Sequence, residues 1–356
     1  MFNEFIKISK YAGMREDLVQ AGGGNSSVKI SDTEMLIKSS GYQMAEITEE
    51  EGFSKVNYRA ISEFMYNNSD TILSEEIGKK VITDNTIEGK RPSIETFLHA
   101  ITKKVTLHTH PILVNVMLAR KNGIKILKNL FPEALFVGYA TPGIKLAQTY
   151  VKSYMEAKGD TNKEFDIIFL KNHGLVVSAD NAEEVIYRTE NVLAKIRMIL
   201  DKQYLEPFEL TTYLYDKLSG IGLIPKNKIL YYSTDKYIYD YLQKNNDVCI
   251  PLCPDSLIYM NRKCFIIKSD TALNGINSDG VNKFICDNGY PAIIIYKNMA
   301  YIVASNVKKA KEIECVLRFN VMVSMLDDED ELDSLSIDEQ NCLLNLESEK
   351  YRQNMK

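Results

Sequence analysis

The chain has no surplus of positive charge: 43 Lys and Arg stand against 48 Asp and Glu, giving a net charge of −5 and a pI near 5.6. No basic stripe is available to displace counterions from a phosphate backbone, so nucleic acid is not an expected partner and small-molecule chemistry fits better. Long apolar runs are missing too. Nowhere do about 18 apolar residues follow one another, and the opening MFNEFIKISKYAG has no apolar stretch long enough for a secretory leader. No membrane partner is therefore expected, and the cytoplasm is the expected location. Cysteine is scarce and one-sided. All six (Cys249, Cys253, Cys264, Cys286, Cys315, Cys342) fall in the second half, without Cys-x-x-Cys spacing and away from every histidine. They read as reduced, mostly buried thiols rather than disulfides or metal ligands. Low-complexity tracts are absent, and 356 residues at 45% hydrophobic and 26% charged are enough for two globular lobes.

Histidine is scarcer still, with four in the whole chain, and two of them stand in VTLHTHP (Val105 to Pro111). The apolar-polar alternation is that of a strand, which puts His108 and His110 on one face and Leu107 and Thr109 on the other. Side chains two apart on a strand have Cα atoms roughly 6.5–7 Å apart, so both rings can converge on one ion at ~2.0–2.1 Å. Of the remaining histidines, His99 and His173, the second is the better third ligand. It ends the apolar run Ile167 to Leu170 in LKNHGLV, and Gly174 lets the backbone turn and the ring approach. Three histidines without a fourth protein ligand describe an open, catalytic Lewis-acid site rather than a closed structural one. Taken alone, His-x-His on a strand fits two ordinary polar residues on a half-wet face equally well.

In chain order, Phe2 to Gln20 has helical spacing of apolar residues and predicts an opening helix. AGGGNSS follows, with Gly22 to Gly24, Asn25, Ser26 and Ser27 forming a turn suited to an anion. A plain helix-to-strand turn explains it as well. The glycines follow a helix and precede strand-like VKI, the reverse of a dinucleotide fingerprint, and no Gly-Lys-Ser/Thr occurs. Strand-like Glu34 to Lys38 runs into a second small-polar turn, Ser39, Ser40, Gly41 and Tyr42. In RPSIETFLHAI, Pro92 and Ser93 look like a helix start that puts Glu95 in the first turn, where an acid is worth about 0.3–1 kcal/mol by itself. A helix is predicted over Ile112 to Arg120. FVGYATPG sets Tyr139 between an apolar strand and a Pro-Gly turn, and Asn181 to Leu200 is predicted as a long helix closing the first lobe.

The second half contains a weak copy of that closing unit. AIIIYKNMAYIVAS (Ala292 to Ser305) matches DIIFLKNHGLVVSA (Asp166 to Ala179), and a helical run follows each, Asn181 to Leu200 and Ala310 to Leu326. Met299 stands where His173 stands, and a thioether does not replace imidazole for a borderline metal. This implies a duplication whose second member keeps the fold and loses the chemistry, with Met299 on a turn like that of His173. The expected division is 1–205, 206–330, and an acidic linker with a C-terminal helix over 331–356.

AGGGNSSVK, KSSG, RPSIETFLHA, LHTHP, GYATPG and KNHGLVV together resemble, in order and spacing, the class II aldolase/adducin family of zinc-dependent sugar-phosphate aldolases, over about residues 1–205. PSIET and the later PLCPDSLIY are similar to the aldolase part of the rhamnulose-phosphate aldolase/short-chain dehydrogenase type, although no dehydrogenase segment is present here. The resemblance implies an α/β fold: a three-layer α/β/α lobe around a mostly antiparallel sheet, plus the smaller, degenerate α/β lobe. It implies one zinc, or another divalent metal, per chain on His108, His110 and His173. Glu95 matches the catalytic carboxylate and Tyr139 a tyrosine that meets the aldehyde. Asn25, Ser40, Gly41 and Ser93 match phosphate-binding positions, with Ser26 and Ser39 in the same turns as further candidates.

The implied reaction is a lyase reaction: a carbon–carbon bond of a ketose, as a 1-phosphate, is cleaved or formed through a zinc-stabilised enediolate. Burial should raise the pKa of Glu95, and the cation beside it should lower it. A homo-oligomer, tetramer or dimer, is implied as well. Two departures stand out. Ile94 replaces a second serine of the fuculose-phosphate aldolases, and the second lobe occupies the place of a C-terminal tyrosine that some members lend to a neighbour. Within the same resemblance, a methylthioribulose-phosphate-type dehydratase also uses three histidines and a glutamate. A pentose-phosphate 4-epimerase, usually with Asp at the Glu95 position, fits less well. Adducin-like binding proteins have lost the metal, and retention of all four residues argues against that class.

Overall fold

The computed structural model describes residues 1–69, 71–158, 164–200, 206–245, 248, 250–326 and 332–345. The chain divides into two compact units, Met1–Leu205 and Glu206–Lys356. The first is built on a sheet of eight strands: β1 (Asn25–Lys29), β2 (Glu34–Lys38), β3 (Phe53–Asn57), β4 (Thr86–Gly89), β5 (Val105–Thr109), β6 (Leu135–Val137), β7 (Ile167–Leu170) and β8 (Gly174–Ala179). Their order is β4-β3-β2-β1-β5-β8-β7-β6. Every neighbouring pair is antiparallel except β6 with β7.

Period-two alternation separates two cores. Val28, Leu36, Leu107 and Val177 pack on one face with Phe5, Ile8, Leu113 and Val192 of the helices Phe2–Gly13, Ile112–Ala119 and Ala182–Leu200. Met35, Ile37 and Val176 pack on the other with Ile61, Phe97 and Tyr150 of the helices Tyr58–Asn67, Thr96–Ala100 and Ile144–Lys158. The fold is thus three-layered α/β/α with a mostly antiparallel sheet.

The opening helix ends at Gly13, short of the Gln20 boundary expected from periodicity. A side chain at Gly13 would collide with the backbone of Ala45, so the helix lies too close to its neighbour for any residue with a Cβ. Beyond it, Arg15 is 1% exposed and pairs with Asp17 at 2.6 Å and with Glu190, a pairing that helical spacing alone does not reveal. Glu95 does not lie in the first helical turn. The helix is Thr96–Ala100, and Glu95 stands at its N-cap, its own side chain making no cap bond.

The second unit contains β9 (Ile229–Tyr232), β10 (Phe265–Ile267), β11 (Ile293–Tyr296) and β12 (Met299–Ala304) in the order β10-β11-β12-β9, with only β10 and β11 parallel. That order and those directions repeat β6-β7-β8-β5, and the helices Ala182–Leu200 and Val307–Leu326 follow the two hairpins. The hairpins differ by one residue. Leu170 pairs with Gly174 across Lys171, Asn172 and His173, whereas Tyr296 pairs with Met299 across Lys297 and Asn298 alone. Both of those two turn residues have positive φ, the pattern of a two-residue hairpin turn. Met299 is therefore a strand residue and not the turn residue expected from the alignment; the turn position of His173 has no counterpart. Counting from the closing pairs, Tyr232 corresponds to His108 and Thr234 to His110.

The expectation of reduced, mostly buried thiols holds in part: among the described residues four cysteines are free, but none of those four is buried. Cys264 is disulfide-bonded, and among the free cysteines Cys286, Cys315 and Cys342 are exposed and Cys253 half-buried. Most of the acidic linker lies outside the described residues. Among the described residues no helix is long and apolar enough to cross a membrane.

Candidate active site

Strand β5 lies between β1 and β8, and backbone pairing on both sides fixes the strand that carries His108. His108 is directly opposite Asn25 of β1 and Val176 of β8, and is fully buried. His110 follows the end of the strand, its N–H donating to the Leu18 carbonyl at 2.8 Å. His173 comes from the β7–β8 turn, where Asn172 takes φ +50° and the His173 N–H closes onto the Leu170 carbonyl at 3.1 Å. The three rings meet with centroids 4.8–5.1 Å apart. Their ligand atoms all lie within 4.8 Å of one another, and among the described residues this is the group placed to hold a metal ion.

The electrostatics suit such an ion. Burial pushes His110 down to about 3, helped by His108 and His173. Burial and His108 bring His173 down to about 4. Both are neutral at pH 7, the form that offers a lone pair to a cation. The Nε2 atoms of His108 and His110 and the Nδ1 of His173 are buried without a hydrogen-bond partner, which is costly unless something else meets them. Neutral His110 and His173 beside His108, each of the three rings with an unmet nitrogen, therefore fit a divalent metal.

Glu95 sits among these rings, 5% exposed. Its Oε2 lies 2.7 Å from His108 Nδ1 and accepts from Asn25 Nδ2 at 2.5 Å, and its Oε1 is 3.3 Å from His173 Nε2. Burial raises its pKa, but His108, by charge and hydrogen bond, and then His173 outweigh it and hold the carboxyl at about 2. Even without a metal cation, the opposing charge wins over burial. Ser93 ties this loop down: its N–H donates to the Lys38 carbonyl at 3.1 Å and its hydroxyl accepts from the Glu95 N–H at 3.3 Å.

Asn25, Glu95, His108, His110 and His173 are thus brought together, with Ser93 beside them in the chain. Ser40 and Gly41 lie exposed on the next turn, which is joined to the loop by a bond of 2.8 Å from the Ser40 N–H to the Arg91 carbonyl. Two candidates are not brought in. Ser26 faces away with Leu107, its hydroxyl on that of Ser9 at 2.7 Å, and the Ser39 hydroxyl is engaged with that of Ser54 at 2.6 Å. Tyr139 is 66% exposed. His99 is held apart by Ser27, with Nδ1 2.7 Å from its hydroxyl.

Two glycines shape the cluster. A Cβ at Gly174 would collide with the Thr109 carbonyl and lie 3.0 Å from the His110 ring, and a Cβ at Gly23 would lie 2.9 Å from His110 Nδ1. The His110 imidazole is packed between two positions without side chains. Gly174 was legible as a close approach; Gly23, read as part of an anion-binding turn, was not.

The family model of the Class II Aldolase and Adducin N-terminal domain matches residues 3–200. The chain belongs to the class II aldolase and adducin family. Among solved structures, the N-terminal class II aldolase domain of a conserved protein from Thermoplasma acidophilum is similar at 23% identity, covering 56% of this chain and 93% of that one, with a TM-score of 0.48. A sugar-phosphate aldolase from Thermotoga maritima is similar at 16% identity over 56% and 93%, TM-score 0.40. L-fuculose-1-phosphate aldolase from Thermus thermophilus is similar at 15% identity over 56% and 93%, TM-score 0.37. No curated protein gives a match. Within this family, the position of the His cluster in the matched region makes it the candidate active site.

Proposed function

We propose that the first unit is a divalent-metal aldolase, a lyase that cleaves or forms a carbon–carbon bond in a ketose, with a ketose 1-phosphate as the first choice of substrate and zinc as the first choice of metal. The observation that carries this is the convergence of three imidazoles on one point with an ionised, buried carboxylate between two of them. His108, His110 and His173 would hold the cation, which when bound supplies Lewis acidity to a carbonyl oxygen. Glu95, ionised at neutral pH, takes a proton from the substrate and returns it, while Asn25 fixes its Oε2. The backbone of the Ser40–Gly41 turn and Ser93 are the groups proposed to receive the anionic end. Ile94 lends a backbone N–H but no hydroxyl there. Tyr139, exposed on its loop, is proposed to meet the aldehyde.

A phosphorylated sugar does not cross a bilayer unaided, which favours the cytoplasm. We also read the second unit as a degenerate copy of the half-fold β5–β8, supported by its strand order, and propose a homo-oligomer. The test is metal content by elemental analysis together with aldehyde release from a panel of ketose 1-phosphates. About one zinc per chain and release of a two- or three-carbon fragment support the reading. Zinc without cleavage overturns the aldolase in favour of the dehydratase, and no metal overturns the site. His108→Ala is expected to lose the stoichiometric metal while the circular dichroism of the fold survives; unchanged metal content would remove His108 from the ligand set.

A further inference from the structure

A cavity of about 500 Å³ is lined in part by the loop that carries Glu95, and no residue of the His cluster lines it. This volume is in the range of small-molecule sites. The helix Glu75–Asp84 forms one wall, and the segment from Gly89 to Ile94 forms another. Its floor is apolar, made by Ile82, Phe97 and Ile144, all nearly or fully buried. Ile94 adds a large hydrophobic surface that is 43% exposed, although its neighbours Ser93 and Glu95 are buried. A half-exposed isoleucine between two buried polar residues is left uncovered where the cavity opens.

Two kinds of polar group line the same space. Lys79 and Arg91 contribute positive charge, and neither makes an ion pair among the described residues. On the same helix wall as Lys79, Glu75 also lines the cavity, and its Oε1 is buried with no hydrogen-bond partner. An acceptor oxygen without a donor is costly to bury, and a hydroxyl or similar donor would relieve it. Apolar floor, cationic edge and unmet acceptor together describe one kind of ligand.

We propose that this cavity is a second binding site, for a small amphipathic organic anion that also carries a hydroxyl group. The apolar body covers Ile94 and the floor, the anion meets Lys79 and Arg91, and the hydroxyl donates to Glu75. Because Ile94 stands between Ser93 and Glu95, an occupant rests on the backbone that sets the carboxylate. The site goes beyond the proposed aldolase reaction, and its binding is measured without turnover.

The probe is 4-hydroxybenzoate, which has an apolar ring, a carboxylate and a hydroxyl, titrated by calorimetry into the full chain. Saturable binding of about one per chain is expected, at least tenfold weaker for benzoate. Thr83→Trp, which fills the cavity mouth, should abolish binding, and the surface variant Lys79→Glu/Arg91→Glu should weaken it at least tenfold, with unchanged melting temperature in that variant. His108→Ala should bind as the unsubstituted protein does. No saturable binding, binding indifferent to both cavity variants, or binding lost in His108→Ala would each overturn the proposal, the last by placing the probe at the His cluster.

Discussion

Glu95 combines a position that the backbone fixes with a charge that the neighbouring rings fix. Its carboxyl is held at about 2 against the effect of burial, so Glu95→Gln should keep the metal ligands intact and remove only the proton carrier. The expected loss in kcat is about 10²–10⁴-fold, with zinc content unchanged by elemental analysis; retained turnover would remove Glu95 from the reaction.

His99 makes a different point at the same scale. Fully buried, it is pushed down to about 3, chiefly by burial and then by His108, from an ordinary value near 6.5. The unfolded chain therefore binds a proton at His99 before the folded one does. Stability from this group is complete above about pH 6.5 and falls as the pH drops toward 3. In the metal-free protein His110 and His173 act in the same direction. His99→Asn keeps a hydrogen-bonding group for Ser27 and removes one titrating ring, so the fall in melting temperature between pH 6.5 and 4 should become shallower. An unchanged slope would mean that His99 is already protonated in the fold.

At the level of elements, the decisive feature is how closely the β7–β8 hairpin approaches the end of β5. Gly174 permits that approach because the Thr109 carbonyl occupies the place of a side chain. Gly174→Ala should cost about 1–3 kcal/mol, as overpacking does, and weaken metal binding by displacing the His110 ring beside it. Thermal melting and a zinc titration check both, and an unaltered zinc affinity would show that the ring position does not depend on this contact. The corresponding β11–β12 hairpin is one residue shorter, so it closes without offering a turn residue where His173 stands. Restoring a histidine at Met299 would place it on a strand instead.

For the whole molecule, the two units each have their own sheet. The three proposed ligands and Glu95 lie entirely in the first unit, and residues 1–205 are expected to unfold cooperatively and to bind one metal ion when produced alone. A fragment that is unfolded by circular dichroism would show that the second unit is required for the fold; a folded fragment that binds no metal would separate the site from the unit that carries its residues.

The His cluster was legible in the sequence because a strand's period of two and a glycine after a strand end are local rules. His108, His110 and His173 could be named from them, and Glu95 from a family resemblance over about the first 205 residues. The sheet's alternation also announced two faces, as Leu36 and Ile37 or Val176 and Val177 show. What local rules could not settle was decided by through-space packing. Ser26 lies next to Asn25 in the chain yet points to the opposite face, and the Ser39 hydroxyl is taken by Ser54 from another strand. Burial alone would raise the Glu95 pKa, and only rings contributed by β5 and by the β7–β8 turn reverse it. The register of the second hairpin, and with it the fate of Met299, depended on two residues with positive φ. Periodicity reports which face a residue takes, whereas partners distant in sequence determine what it meets there.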